Sequence, residues 1–297
     1  MKLYKIGITP TSKFSTTLKG DTIFGHLCWV IKYLFKEDKL ISLLNDYNKK
    51  PFLVVSDAFP KGYLPKPKMP ISFLKEKRED KKLNRKKVWI AYNDLLKGNY
   101  NSAKNNKDIN NNDIQSVQIH NAINYKTFHT GNGFDPYGLE SWSLSSKEFY
   151  CLLDENKLSK DKLYEAIKFL SEIGYGKKVT TGKGRFNVEY IEEVVVDNVS
   201  TVYMTLSPFS PKGVKCKNIY YEPFTRFGKF GADRAYKNAF KKPILLADTA
   251  SVIEFEKEQK IYYIGKGIDG ISKIYKDAVH QGYSIVLPLK ELEHEQK

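Results

Sequence analysis

Cysteine is scarce in this 297-residue chain: three residues, at 28, 151 and 216, none near another. That excludes a disulfide scaffold and a Cys-cluster zinc site, and it suits a reducing, cytoplasmic setting. Histidine is equally thin, with five residues at 26, 120, 129, 280 and 294. His120 and His129 stand nine apart, which is no metal-ligand spacing. No compact carboxylate cluster suggests two-metal catalysis, and no Ser sits in a G-x-S-x-G elbow. Neither a metal nor a cofactor is therefore expected. Long apolar runs are missing too, so no membrane span is expected. The opening MKLYKIGITPTSKF lacks the apolar core and cleavage site of a signal peptide.

Acidic charge is the minority sign. Against 34 Asp and Glu stand 49 Lys and Arg, giving +15 and a pI near 9.4. Only five of the basic residues are Arg, at 78, 85, 185, 226 and 234. Such a balance favours a polyanionic partner, nucleic acid or an acidic lipid surface. Biased codon usage produces the same Lys-rich composition without any partner. No amphipathic basic helix of the kind that binds lipid is evident, which turns the expectation toward nucleic acid. With 20 Tyr and 17 Phe, the chain has bulk enough for a core.

Periodicity supplies the fold. KLYKIGIT, 2–9, alternates Tyr4, Ile6 and Ile8 on one face and reads as a strand. A helix starts near Asp21, taken as N-cap, with Ile23, Phe24, Leu27, Val30, Ile31, Leu34 and Phe35 at helical spacing. PFLVVSDAF, 51–59, reads as the second strand. The prolines at 60, 65, 67 and 70 then enforce an extended segment. Residues 75–87 hold eight bases and three acids, and 99–112 hold seven Asn. From about 60 to 120, and on to about 140 with its polar return segment, the chain reads as a long surface insertion with a mobile tip.

A strand follows, ending near Leu153. A second helix spans about 159–173 and is stopped by Gly174. After the Gly-rich loop GYGKKVTTGKGRF, 174–186, comes a strand with Phe186, Val188 and Tyr190 alternating. The order βαββαβ over residues 1–196 is ferredoxin-like (RRM-like), an α+β fold. Residues 197–297 hold short strands and few helices, which predicts a second, irregular β-rich domain.

The Gly-rich loop is the sharpest chemical feature. Gly174, Gly176, Gly182 and Gly184 flank Lys177, Lys178, Thr180, Thr181, Lys183 and Arg185. Glycine allows φ > 0 and close approach, and free N–H groups with Lys and Thr side chains suit a phosphate. A dinucleotide fingerprint fails because Val179 stands where its third Gly belongs. A P-loop fails because five residues, not four, separate Gly176 from Gly182. A cradle for a phosphodiester backbone and a plain flexible connector both remain open. His26 on the first helix could serve as base in metal-free RNA cleavage, with the 2′-OH as nucleophile and a loop Lys on the phosphate.

Four stretches carry a resemblance: LKGDTIFGHLCW (18–29), PFLVVSDAFPKGYLPKPKMP (51–70), GYGKKVTTGKGRF (174–186) and AVHQGYSIVLPL (278–289). Together, in this order, they resemble the RAMP proteins of CRISPR systems, and most closely the family of fourth subunits of the Csm (type III-A) effector complex, a Cas-five-like group. The loop departs from the common pattern at Val179 and Thr180, and the insert is unusually rich in Lys and Asn. The resemblance implies a RAMP fold with a thumb-like insertion and a second domain derived from the first. It implies a non-catalytic subunit in antiviral defence, gripping the 5′ tag of the crRNA. Target RNA would lie nearby, and the implied protein partners are the Cas-ten-type large subunit and the subunit-three backbone. The residues it points to for RNA are Lys19, His26, His120, Asn121 and Asn124 with the loop residues above. A Cas-six-like, metal-independent endoribonuclease is the alternative.

Overall fold

The computed structural model describes residues 1–74, 81–130, 133, 135–236 and 239–292. Strand β1 (Lys2–Pro10) runs through the middle of the first sheet, with Tyr4, Ile6 and Ile8 almost wholly buried. Helix α1 (Gly20–Phe35) follows, then β2 (Leu53–Val55), β3 (Lys147–Leu153), helix α2 (Lys160–Ile173) and β4 (Phe186–Glu193). These strands lie in the order β4-β1-β3-β2, each antiparallel to its neighbour. That is the ferredoxin-like arrangement expected from the βαββαβ order. Leu27, Val30 and Ile31 of α1 and Leu163, Ile167 and Leu170 of α2 are buried in the same apolar cluster as the sheet. Each contributes about 1.5–3 kcal/mol by leaving water.

Several local expectations hold at residue level. Ser159 caps α2, its hydroxyl accepting from Lys162 N–H at 3.4 Å, and Gly174 ends the helix at φ 95°. The start of α1 differs. Asp21 is not its N-cap; it lies in the first turn, where its carboxylate faces Arg226. The first N–H of the helix, at Gly20, is satisfied from afar by Asp57 Oδ1 at 2.8 Å. A carboxylate anywhere near the positive end of a helix can do a cap's work.

The single strand expected over 51–59 is broken in two. Between β2 and a short bridge at Phe59–Pro60, Ser56 Oγ takes the N–H of Tyr150 and the chain turns to present Asp57 to α1. The insertion carries more structure than its composition suggests. Tyr63–Pro65, Lys87–Ala91 and Lys104–Asn105 form a small sheet, and Leu64, Ile90 and Leu95 join the main core. A two-stranded ribbon, Ile114–His120 with Tyr137–Ser143, projects from it. It is anchored at its base by reciprocal backbone bonds of 2.8 Å between Phe14 and Trp142. Residues 75–80 of the charge run, Gly131 of the return segment and His294 lie outside the described residues.

After β4 the chain builds a second antiparallel sheet from β5 (Val199–Thr205), β6 (Asn218–Tyr220), β7 (Val252–Lys260), β8 (Tyr263–Gly265) and β9 (Tyr283–Pro288), in the order β6-β7-β5-β9-β8. Pro223–Arg226 pairs with Ile244–Ala247 as a separate ribbon. Val202, Met204, Ile285 and Leu287 share one apolar cluster with the first sheet. Gln281, fully buried, seals the junction. Its side-chain amide receives Val55 N–H at 2.9 Å and donates to Val55 C=O at 2.7 Å, satisfying backbone groups that edge strand β2 leaves open. Among the described residues, no helix is long and apolar enough to cross a membrane.

Candidate nucleic-acid interface

The Gly-rich loop runs from the end of α2 back to β4, and all four of its glycines have positive φ. Two of them show contrasting reasons. At Gly184 (φ 79°) a Cβ would lie 2.0 Å from the carbonyl oxygen of Tyr175, so this glycine is needed for the loop's own packing. At Gly182 (φ 82°) a Cβ would meet open space, so only the backbone conformation demands glycine there. Tyr175 pins the loop: its ring is buried, its hydroxyl donates to Thr17 C=O at 2.7 Å, and its N–H donates to Gly184 C=O.

Most of the expected free N–H groups are already committed. Gly176 donates to His26 Nε2 at 3.2 Å, Lys177 to Thr16 Oγ1, Gly184 to Lys13 C=O and Arg185 to Ser12 Oγ. Thr181, Gly182 and Lys183 donate back within the loop, around the turn Val179–Thr181. Among the described residues, the N–H groups left without a partner are those of Lys178, Val179 and Thr180, so the backbone cradle is short.

The side chains expected to contact RNA divide sharply. Lys177, Thr180, Thr181 and Arg185 are exposed, and Lys178 reaches Tyr137 OH at 3.3 Å on the ribbon. Tyr137 in turn stacks on His120, with ring centroids 5.6 Å apart. Loop and ribbon thus meet through Lys178, Tyr137 and His120. Lys13, whose Nζ bonds Ser116 Oγ at 3.0 Å, ties the same ribbon face to the segment after β1, whose Lys13 carbonyl takes the Gly184 N–H. Tyr137 and Lys13 carried no signal in the sequence; only the register, which sets His120 opposite Tyr137, reveals the first of them. Asn121 is exposed beyond the ribbon. Asn124 folds the tip, accepting Lys126 N–H and Phe128 N–H, and leaves Tyr125 and Phe128 projecting into solvent.

Three of the side chains expected at RNA are turned inward. Lys183 is only 8% exposed, and its Nζ has no hydrogen-bond partner among the described residues. Lys19 is held by Asp57 at 2.9 Å and Asp248 at 3.0 Å. His26 packs on Tyr175, centroids 4.8 Å apart, and accepts the Gly176 N–H with Nε2. Burial pulls its pKa down to about 4, so the ring is neutral near pH 7. The Nε2 lone pair is engaged in holding the loop.

Among the described residues, no group of His, Cys, Asp and Glu has the spacing of a metal site. No family model matches this chain, and no curated protein matches it. Solved structures do. A chain of the Csm1–Csm4 cassette in complex with cA4 aligns with a TM-score of 0.64 at 15% identity, over 99% of this chain and 100% of that one. A chain of the Csm3–Csm4 subcomplex of the type III-A CRISPR-Cas interference complex aligns with a TM-score of 0.62 at 18% identity, over 98% and 100%. Csm4 is the component common to both assemblies. From end to end, this chain shares the mixed α/β fold of a chain in each of those Csm4-containing structures.

Proposed function

We propose that this chain is the Csm4-type structural subunit of a type III-A CRISPR interference complex. In this reading it binds the 5′ tag of the crRNA without cutting it, and joins a Cas-ten-type large subunit to a Csm3-type backbone. The observation that carries it is the full-length fold likeness to chains of two assemblies that share Csm4. The interface supports it. Lys178 at a His120–Tyr137 stack, with Lys177 and Arg185 exposed in the same loop, offers phosphate contacts and an aromatic surface, the combination suited to single-stranded RNA. Target RNA would pass close to the ribbon.

The endoribonuclease alternative loses support from the geometry, because the lone pair a general base needs is the one His26 gives to Gly176. The test is a titration of purified protein with labelled guide RNA, its 5′ tag intact or scrambled, at two salt concentrations with chelator. The same samples are run on a denaturing gel. Tag-dependent, salt-sensitive binding with intact RNA is expected. Discrete cleavage products, or equal affinity for the scrambled tag, would overturn the proposal.

A further inference from the structure

The stretch SDAFPKGYLPKPKM, 56–69, takes no part in the interface above, yet it forms much of one wall of a cavity of about 650 Å³. The cavity lies where the insertion, the start of α1 and the segment at Asp248–Ala250 meet. Its apolar wall includes Phe59, Met69 and Trp89. Phe59 and Trp89 meet edge to face with centroids 6.4 Å apart, and Trp89 Nε1–H donates to Asn106 Oδ1 at 2.7 Å, which holds the indole in place.

The floor is charged but balanced. Lys19 bonds Asp57 and Asp248, and Lys68 bonds Asp248 and Glu222 at 2.8 Å each. Arg85 and Lys87, which also line the cavity, make no ion pair among the described residues, so the described lining carries an excess of positive charge. An aromatic wall, paired charges and unpaired cations, at a volume typical of small-ligand sites, are the features a nucleotide site needs.

Its position connects it to the Gly-rich loop. Thr16 and Thr17 bind the loop through Lys177 N–H and the Tyr175 hydroxyl, and Thr17, Leu18 and Lys19 line the cavity. The loop and the cavity therefore share one short stretch of chain. We propose that the cavity receives one unstacked nucleotide of a bound single-stranded RNA, its base against Trp89 and Phe59 and its phosphate at Arg85 and Lys87. The inference rests on the RNA-binding function proposed above and assigns it a second contact site.

The test uses the full chain with a single-stranded RNA carrying 4-thiouridine, near-ultraviolet irradiation and mass-spectrometric mapping of adducts. Adducts on Phe59, Met69 or Trp89 are expected in addition to any on the loop. The double variant Arg85→Ala with Lys87→Ala alters unpaired lining charges only. It should lose the cavity adducts and weaken binding about tenfold, with the salt slope reduced by about 0.7 for the one phosphate released. RNA binding with adducts confined to residues 176–185, and unchanged affinity of the double variant, would overturn the pocket and leave the proposed function standing. Absence of RNA binding by the unaltered chain would overturn the function, and the pocket with it.

Discussion

Two basic regions flank the stretch between β1 and α1, and they use their charge in opposite ways. At the start of α1, Lys19, Lys68 and Arg226 are all engaged by carboxylates: Asp57, Asp248, Glu222 and Asp21. In the Gly-rich loop, Lys177, Lys178 and Arg185 have no carboxylate partner among the described residues, and Lys178 meets a phenol. The first region is structural electrostatics, its cations partly buried and each paired. The second keeps its counterions, and releasing counterions is what drives a polycation onto a polyanion. A net charge of +15 says nothing about which lysines belong to which group.

The largest effect that sharpens this contrast is expected from Asp21→Ala. Asp21 is buried and holds Arg226 through two bonds, at 2.6 and 2.7 Å. Burial by itself would raise the Asp21 pKa, but the contacts with His280 and then with the Arg226 guanidinium outweigh it and hold the carboxyl well below its ordinary value. Removing it strands a partly buried guanidinium and should cost about 3–5 kcal/mol in urea unfolding. A loss below about 1 kcal/mol would show that Arg226 simply swings into water.

Next is Gly184→Val, which forces a Cβ into the Tyr175 carbonyl at a left-handed backbone position. The backbone strain alone is worth about 1–3 kcal/mol. Because the loop is displaced, RNA affinity should fall with stability. Gly182→Ala, facing open space, should cost only about 1–2 kcal/mol of conformational strain and leave the loop in place. Equal damage from both would mean that the loop's packing is not what fixes its shape.

Lys177→Ala with Lys178→Ala should leave stability within about 0.5 kcal/mol, as exposed charges do. The slope of log K against log salt for single-stranded RNA should fall by about 1.4, or about 0.7 per phosphate. An unchanged slope would remove the loop from the interface and erase the distinction between the two regions.

The smallest effect concerns pH. His26 has a folded-state pKa near 4 against an ordinary 6.5, so the unfolded chain binds the extra proton between those values. Stability supported by the neutral ring is therefore complete above about pH 6.5 and falls as pH drops toward 4. His26→Gln should show a shallower decline of melting temperature across that window. A parallel decline in both proteins would mean that His26 does not couple to folding.

How far the sequence was legible follows the range of the forces involved. Alternation at Tyr4, Ile6 and Ile8, the helical spacing of Leu163, Ala166, Ile167 and Leu170, and the stop at Gly174 are local signals, and each appears in the fold as expected. The break in the 51–59 strand was not legible. It depends on Ser56 meeting Tyr150, 94 residues away in sequence. Nor was the cap of α1, since a nearby Asp fits the local pattern while Asp57, 37 residues on, does the work. In the candidate interface, Lys177, Thr180 and Arg185 are as exposed as their loop setting suggested. Lys183, two residues before Arg185, is buried, a distinction composition cannot make.

By itself, the sequence determined the βαββαβ order, the glycine positions that permit φ > 0, and the excess of positive charge. These depend on residue type and spacing along a few turns of chain. Tertiary structure alone decided which cations are neutralised, that the His26 lone pair belongs to Gly176, and that a proline-rich segment walls a nucleotide-sized cavity. Each of those outcomes joins groups far apart in the chain, as Lys19 is joined to Asp248 across 229 positions. Such contacts are set by strand order and register, which local preference does not encode.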